Sequence, residues 1–139
     1  MEATRVIIVE DAPLFREMLR NTLSNEPSIE VVGEAEDGET AIRLAQGTNA
    51  DVDIMDIELS GKRDGIAAAL AIKNRDTKVG IVILSVHRDK RYITSLPLEK
   101  SGGWAYLLKQ TVPDIATIVR AIEGTKAGML VLDPIILQD

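Results

Sequence analysis

Four short apolar runs in this chain end on polar groups. Val6-Ile7-Ile8-Val9 meets Glu10-Asp11, and Val52-Asp53-Ile54-Met55 meets Asp56. Ile81-Val82-Ile83-Leu84 meets Ser85, and Ala105-Tyr106-Leu107-Leu108 meets Lys109. The runs are of strand length and scarcely alternate, the habit of strands covered on both faces in a parallel sheet. A fifth segment, Ile29–Ala35, alternates in part. Between these runs apolar residues recur at helical spacing. Leu14, Met18, Leu19 and Leu23 follow Pro13, which suits a first helical turn, and Pro27 stops that helix. Asp37-Gly38 turns the chain into a helix over about Glu39–Gln46, with Ala41, Ile42 and Ala45 inward. Ile66–Asn74 is rich in helix formers, and Arg88–Lys100 is read as a helix that Pro97 breaks or kinks. Val112-Pro113-Asp114 opens a last helix that presents Ile115, Ile118, Val119 and Ile122 and ends near Gly124. The alternating order predicts an α/β fold: a five-stranded parallel sheet, doubly wound as (βα)5 with right-handed crossovers.

Residues 125–139 lie outside that unit. The apolar stretch Met129–Leu137 reads either as a tail packed on its own domain or as a linker or association segment. The expected division is therefore residues 1–124 as one domain and 125–139 as a tail.

In an open parallel sheet every carboxyl end lies on one edge, and ligands bind there. Glu10, Asp11, Asp56, Ser85 and Lys109 should gather on that rim. Such a set suits a divalent cation together with a phosphoryl group. An aspartate attacks a phosphoryl group poorly unless a cation offsets the charge, and Mg²⁺ prefers the oxygen ligands present here. Asp11 and Asp56 can each give a carboxylate oxygen, Glu10 can hold a metal-bound water, and the Glu58 backbone carbonyl can complete the set. Lys109 would pair with phosphoryl oxygens and Ser85 would donate to one of them. Taken singly, each residue also reads as a strand-end acid, a structural serine or a surface lysine; it is their coincidence on four strand ends that points to one site. His87, the single histidine, has no partner at metal-ligand spacing.

Composition narrows the classes. The 139 residues suit one domain, and 45% are hydrophobic but only 3% aromatic, so the core must be aliphatic. A net charge of −6 with dispersed lysines and arginines makes a poor nucleic-acid binder. Without cysteine there is no disulfide, thiol chemistry or cysteine metal site. No apolar stretch approaches the roughly 20 residues of a membrane span, and the first residues lack a signal-peptide layout. A cytoplasmic protein with no membrane association is expected.

The pieces Val9-Glu10-Asp11, Asp51–Asp56, Asp64-Gly65, Ile83-Leu84-Ser85 and Tyr106–Lys109, in this order and spacing, resemble the receiver domain of bacterial two-component response regulators. The resemblance covers about Arg5 to Gly124 and implies the flavodoxin-like receiver fold. It implies that Asp56 accepts a phosphoryl group from a sensor histidine kinase, and that Glu10, Asp11, Asp56 and the Glu58 carbonyl hold Mg²⁺. Ser85 and Lys109 would bind the phosphoryl group, and Tyr106 would swing inward as Ser85 is drawn toward it. Such a shift would alter a dimerisation surface, so a homodimer is a possible partner state. The protein would be a signalling switch rather than an enzyme, with only self-catalysed phosphoryl transfer and loss. Pro13–Arg16 and Leu132-Asp133-Pro134 are similar to the subfamily whose receiver precedes a helix-turn-helix output domain. That implies transcription regulation, with DNA reached only through a domain absent from this sequence.

The chain departs from the family pattern in several places. Ser60 stands where a proline is usual, and the loop after Asp56 is one residue longer than the commonest form. Gln110 and Trp104 replace residues that are commonly smaller. A receiver-like module acting without phosphorylation is the alternative reading. A phosphatase using Asp51 and Asp53 fails because Asp51 precedes its strand. Nucleotide binding lacks a glycine-rich turn after the first strand, and Glu10-Asp11 would repel a flavin phosphate.

Overall fold

The computed structural model describes residues 2–59, 64–86, 102–112 and 114–137. The predicted helix over 88–100, His87 and the loop residues 60–63 lie outside the described residues. The strands are β1 (Thr4–Val9), β2 (Ile29–Ala35), β3 (Val52–Asp56), β4 (Gly80–Ser85), β5 (Trp104–Leu108) and β6 (Leu130–Leu132). The helices are α1 (Pro13–Ser24), α2 (Gly38–Thr48), α3 (Gly65–Arg75), α4 (Ile115–Lys126) and the single turn α5 (Pro134–Leu137).

All strand pairings are parallel, in the order β2-β1-β3-β4-β5-β6. The chain first moves outward from β1 to β2, then returns to the other side of β1 for β3. That reversal opens a crevice between the carboxyl ends of β1 and β3, the favoured ligand position in such sheets. The α/β doubly wound class is as the sequence predicts, but the sheet has six strands rather than five. The sixth comes from the tail, where Leu130, Val131 and Leu132 pair with Trp104, Ala105 and Tyr106. An apolar segment beside an unpaired sheet edge gains a hydrogen-bonded ladder and covers that edge.

Two cores sandwich the sheet. Ile7, Val9, Met55, Ile81 and Ile83 meet Ala41 of α2 and Ala68, Ala69 and Ile72 of α3. Val6, Ile8, Ile54, Val82 and Leu84 meet Leu19 and Leu23 of α1 and Ile118, Ala121 and Ile122 of α4. Side chains alternate between the two faces, so a run with both faces covered must be apolar at nearly every position. Leu14 does not join the α1 stripe as the spacing suggested: it is 83% exposed. The inward row is Phe15, Leu19 and Leu23, at four-residue steps, and Leu14 is turned about 100° from Phe15.

The bulky Trp104 is buried in the core, and the buried Lys73 ammonium stands 5.8 Å from its ring centroid and donates to the Val79 carbonyl. Burial lowers the Lys73 pKa from its ordinary value.

Asp133 fastens the tail. It is fully buried; its Oδ2 accepts from Leu108 N–H and its Oδ1 from Ile135 N–H, each at 2.9 Å. Its own N–H donates to the Tyr106 carbonyl at 2.9 Å. The carboxylate thus continues the β5–β6 ladder past the point where β6 turns away. Asp133→Ala should cost about 2 kcal/mol by leaving two backbone donors unpaired. Urea unfolding would measure the loss, and hydrogen exchange should show β6 opening before the other strands.

Asp53 is a second fully buried acid, and neither carboxylate oxygen has a hydrogen bond. Burial first, and then the Asp76 charge, push its pKa up to about 7. The folded protein therefore keeps a proton between about pH 4 and 7 that the unfolded chain has released. The cost of Asp53 grows with pH through that window and is complete above it. Asp53→Val should accordingly stabilise the fold more at pH 8 than at pH 5, by on the order of 2–3 kcal/mol. Denaturation midpoints at the two pH values test this; an equal gain at both would refute it.

Candidate functional site

The register of the ladders aligns the strand ends. Val9 pairs with Met55, so Glu10 comes abreast of Asp56. Asp56 pairs with Leu84, and Ser85 with Leu108, so Ser85 and Lys109 follow on the same rim. The backbone leaves β5 in a tight turn over Lys109–Thr111, which starts at the lysine itself.

Lys109 is the hub of this rim. Its Nζ lies 3.1 Å from Asp56 Oδ2 and 2.8 Å from Glu10 Oε1. The Asp56 contact is a hydrogen bond; the Glu10 contact lacks that alignment and is an ion pair. The same ammonium stands 4.8 Å from the Phe15 ring centroid, a cation–π distance. Asp56 is buried, and its Oδ1 accepts from Glu58 N–H at 3.1 Å, so both carboxylate oxygens are held. Glu10 is 1% exposed; its Oε2 accepts from Ala12 N–H at 3.2 Å, and its carbonyl accepts from Arg16 Nη1 at 2.7 Å.

Carboxylate oxygens of Glu10, Asp11 and Asp56 lie within 4.8 Å of one another. Three carboxylates against one ammonium leave two negative charges unbalanced when all are ionised. The strain falls on Glu10, whose pKa is pushed up to about 7 by burial first and by the neighbouring Asp56, against the pull of Lys109 and Ala12 N–H. Burial alone would lower the Lys109 pKa, but Glu10 and Asp56 reverse this and hold it above the ordinary lysine value. A group of this charge deficit fits a dication with oxygen preference.

An open cavity of ≈410 Å³ lies over the rim, lined by Asp11, Asp56, Glu58, Val86 and Lys109 among others. Glu10 does not line it but is ion-paired with Lys109, which does. Ser85 is fully buried and does not line it; neither does Tyr106, which is buried beside Ile83 in register and on the same sheet face as Ser85. Five of the seven expected residues therefore converge directly, and two stand behind them. Asp51 lies at the opposite end of β3, where its Oδ2 accepts from Arg5 N–H at 2.9 Å, far along the strand from Asp56. The Asp64-Gly65 pair also gains a physical reason. Asp64 Oδ1 accepts from Ala67 N–H at 2.7 Å and caps α3. Gly65 packs so closely on β3 that a Cβ there would overlap the Asp56 carbonyl oxygen. Phe15 and Arg16 touch the site without having been singled out as site residues; the four-residue step from Phe15 to Leu19 was the available signal.

Among the described residues no helix is long and apolar enough to cross a membrane. The family model described as response regulator receiver domain matches residues 6–129. The transcriptional regulatory protein DegU of Brevibacillus brevis is 35% identical over 130 residues, which cover 94% of this chain and 53% of DegU. The chain thus spans about half the length of that relative. A two-component response regulator of the LuxR family from Aurantimonas sp. superposes with a TM-score of 0.83 at 31% identity, covering 99% of this chain and 94% of that one. The receiver domain of the response regulator NarL from Mycobacterium tuberculosis gives 0.74 at 30% identity, covering 89% and 99%. With the acid cluster and lysine at the carboxyl edge of a doubly wound sheet, these matches establish that the chain belongs to the response regulator receiver domain family.

Proposed function

We propose that Asp56 is the phosphoacceptor of this receiver domain and that its partner is a sensor histidine kinase. The observation that carries this reading is the Asp56 carboxylate held between Lys109 and Glu58 N–H, at the mouth of a cavity, beside Glu10 and Asp11. A carboxylate oxygen of Asp56 attacks phosphorus, the bond from phosphorus to the donor histidine breaks, and the electron pair returns to that histidine. Glu10, Asp11, Asp56 and the Glu58 carbonyl would hold Mg²⁺, which when bound offsets the negative charge of the phosphoryl group against the acidic rim. Lys109 already neutralises Asp56, so it follows the charge onto the phosphoryl oxygens.

Ser85 lies next to Val86, which lines the cavity, and donates to a phosphoryl oxygen once β4 shifts toward it. Tyr106, expected to swing inward with that shift, is already buried on the same face before any phosphorylation. Such a local charge event biases a two-state surface, and the output is dimerisation or partner binding. We place this switch in the cytoplasm. By likeness to DegU, a transcriptional regulatory protein, the regulated process is transcription. DNA would be contacted by an output domain outside the sequence described. Residues 1–124 form the receiver, and the tail 125–139 packs on it, its β6 paired with β5.

Incubation with acetyl phosphate, with and without Mg²⁺, should give one Mg²⁺-dependent, hydroxylamine-labile adduct by intact mass. Asp56→Asn should abolish it and leave the circular dichroism spectrum unchanged. An adduct retained at another residue would remove the assignment. No adduct on the wild type would favour a module that works without phosphorylation. Lys109→Ala should keep or tighten Mg²⁺ binding, because it deletes a competing cation, while uncoupling phosphorylation from any change in association. Sedimentation of the phosphorylated variant checks this: wild-type dimerisation there would count against the role given to Lys109.

A further inference from the structure

Asp53 has no part in the rim site, yet it is an acid set into the middle of the sheet. It stands three residues before Asp56 on β3, in register with Ile7 on one side and Ile81 on the other. Its side chain lies on the face covered by α2 and α3 and is 0% exposed, with both carboxylate oxygens lacking a hydrogen bond. Buried polar atoms almost always have partners, and an orphaned carboxylate is among the most costly to keep.

A cavity of ≈240 Å³ between α2 and α3 has Asp53 in its lining. Ala45, Ile72 and Val79 give it apolar walls, and exposed Gln46 and Asp76 belong to its lining. The charged residues of the lining other than Asp53 are Arg75 and Asp76, both from the end of α3; what α2 contributes is neutral. After burial, the charge of Asp76, of the same sign, also raises the Asp53 pKa. The cavity thus has Asp53 at its floor, Arg75 and Asp76 at the end of α3, the Gln46 and Asn49 amides on the α2 side, and Ala45, Ile72 and Val79 between.

We propose that this cavity binds a small organic cation, with a primary ammonium or guanidinium group on Asp53 and its apolar chain along Ala45, Ile72 and Val79. A cation supplies the donors that the Asp53 oxygens lack and cancels the charge that burial makes costly. The apolar walls match an alkyl chain. A metal ion is disfavoured because Asp76 Oδ1 already accepts from Lys78 N–H at 3.0 Å. Among the described residues, the place where three metal-ligating side chains converge is the rim and not this cavity. The ligand meets the ionised carboxylate, so affinity rises with pH until Asp53 has lost its proton at about 7.

The test is a ¹H–¹⁵N titration of the full chain with n-butylammonium and, as its neutral counterpart, n-butanol. At pH 8 butylammonium should give saturable shifts at the Ala45, Asp53, Ile72 and Val79 amides, with at least tenfold weaker binding of butanol, roughly the factor a buried ion pair supplies. At pH 6 the ammonium should bind about tenfold more weakly than at pH 8. Asp53→Asn should remove both the preference for the cation and its pH dependence. Equal binding of amine and alcohol, shifts confined to the rim, or no saturable change would each overturn the proposal. The amine–alcohol comparison uses the wild type and holds even if the Asp53 variant fails to fold.

Discussion

Parallel register is the constraint from which the site follows. A parallel ladder slipped by one residue carries every side chain to the opposite face. Here it would move Ile7, Met55 and Ile83 out of one core and into the other. Burial on both faces thus fixes which residue of each strand is last, and the pairs Val9 with Met55 and Ser85 with Leu108 set the rim. The acids, serine and lysine come together because the apolar residues behind them have no other arrangement. The chemistry is carried by the first polar positions after the core runs out.

The rim is held together by opposite charge and held apart by like charge. Lys109 bridges two carboxylates and rests against the Phe15 ring, so one ammonium organises groups from β1, β3 and α1. It is still one charge against three. The remainder appears as a proton held more tightly on Glu10. A site in that condition is stable enough to fold yet retains an affinity for further positive charge, which is what a phosphoryl-transfer centre requires before its substrate arrives.

The strands, their ends and the doubly wound order were legible because unbroken apolar runs admit few alternatives. Glu10, Asp56, Ser85 and Lys109 were legible for the same reason, each being the first polar residue after a run. Other features were hidden by the nature of the signal. Leu14 and Phe15 are adjacent and both apolar, and only the angle of α1 on the sheet decides which turns inward. The sixth strand was obscured because Leu130–Leu132 is three residues long, too short for a period. Asp133 reads as a break before Pro134; its burial depends on Leu108, 25 residues earlier, offering an N–H. Asp53 drew notice only beside Asp51 as a phosphatase pair, and nothing local reveals that α2 and α3 close over it.

Gly65 and its neighbours have a consequence for how this chain can change. Gly65 N–H donates to the Ile57 carbonyl at 2.9 Å, and Ile57 N–H donates to the Leu84 carbonyl at 3.0 Å. Both ends of the connection after Asp56 are thereby tied to the sheet, one by the ladder and one by a glycine that tolerates no side chain. A residue gained between those anchors enlarges a closed loop, and the entropy of closure rises only with the logarithm of its length. A residue added to this connection would thus be a change the fold absorbs at little cost, leaving Asp56 where the sheet put it. Length can drift there, whereas position 65 cannot.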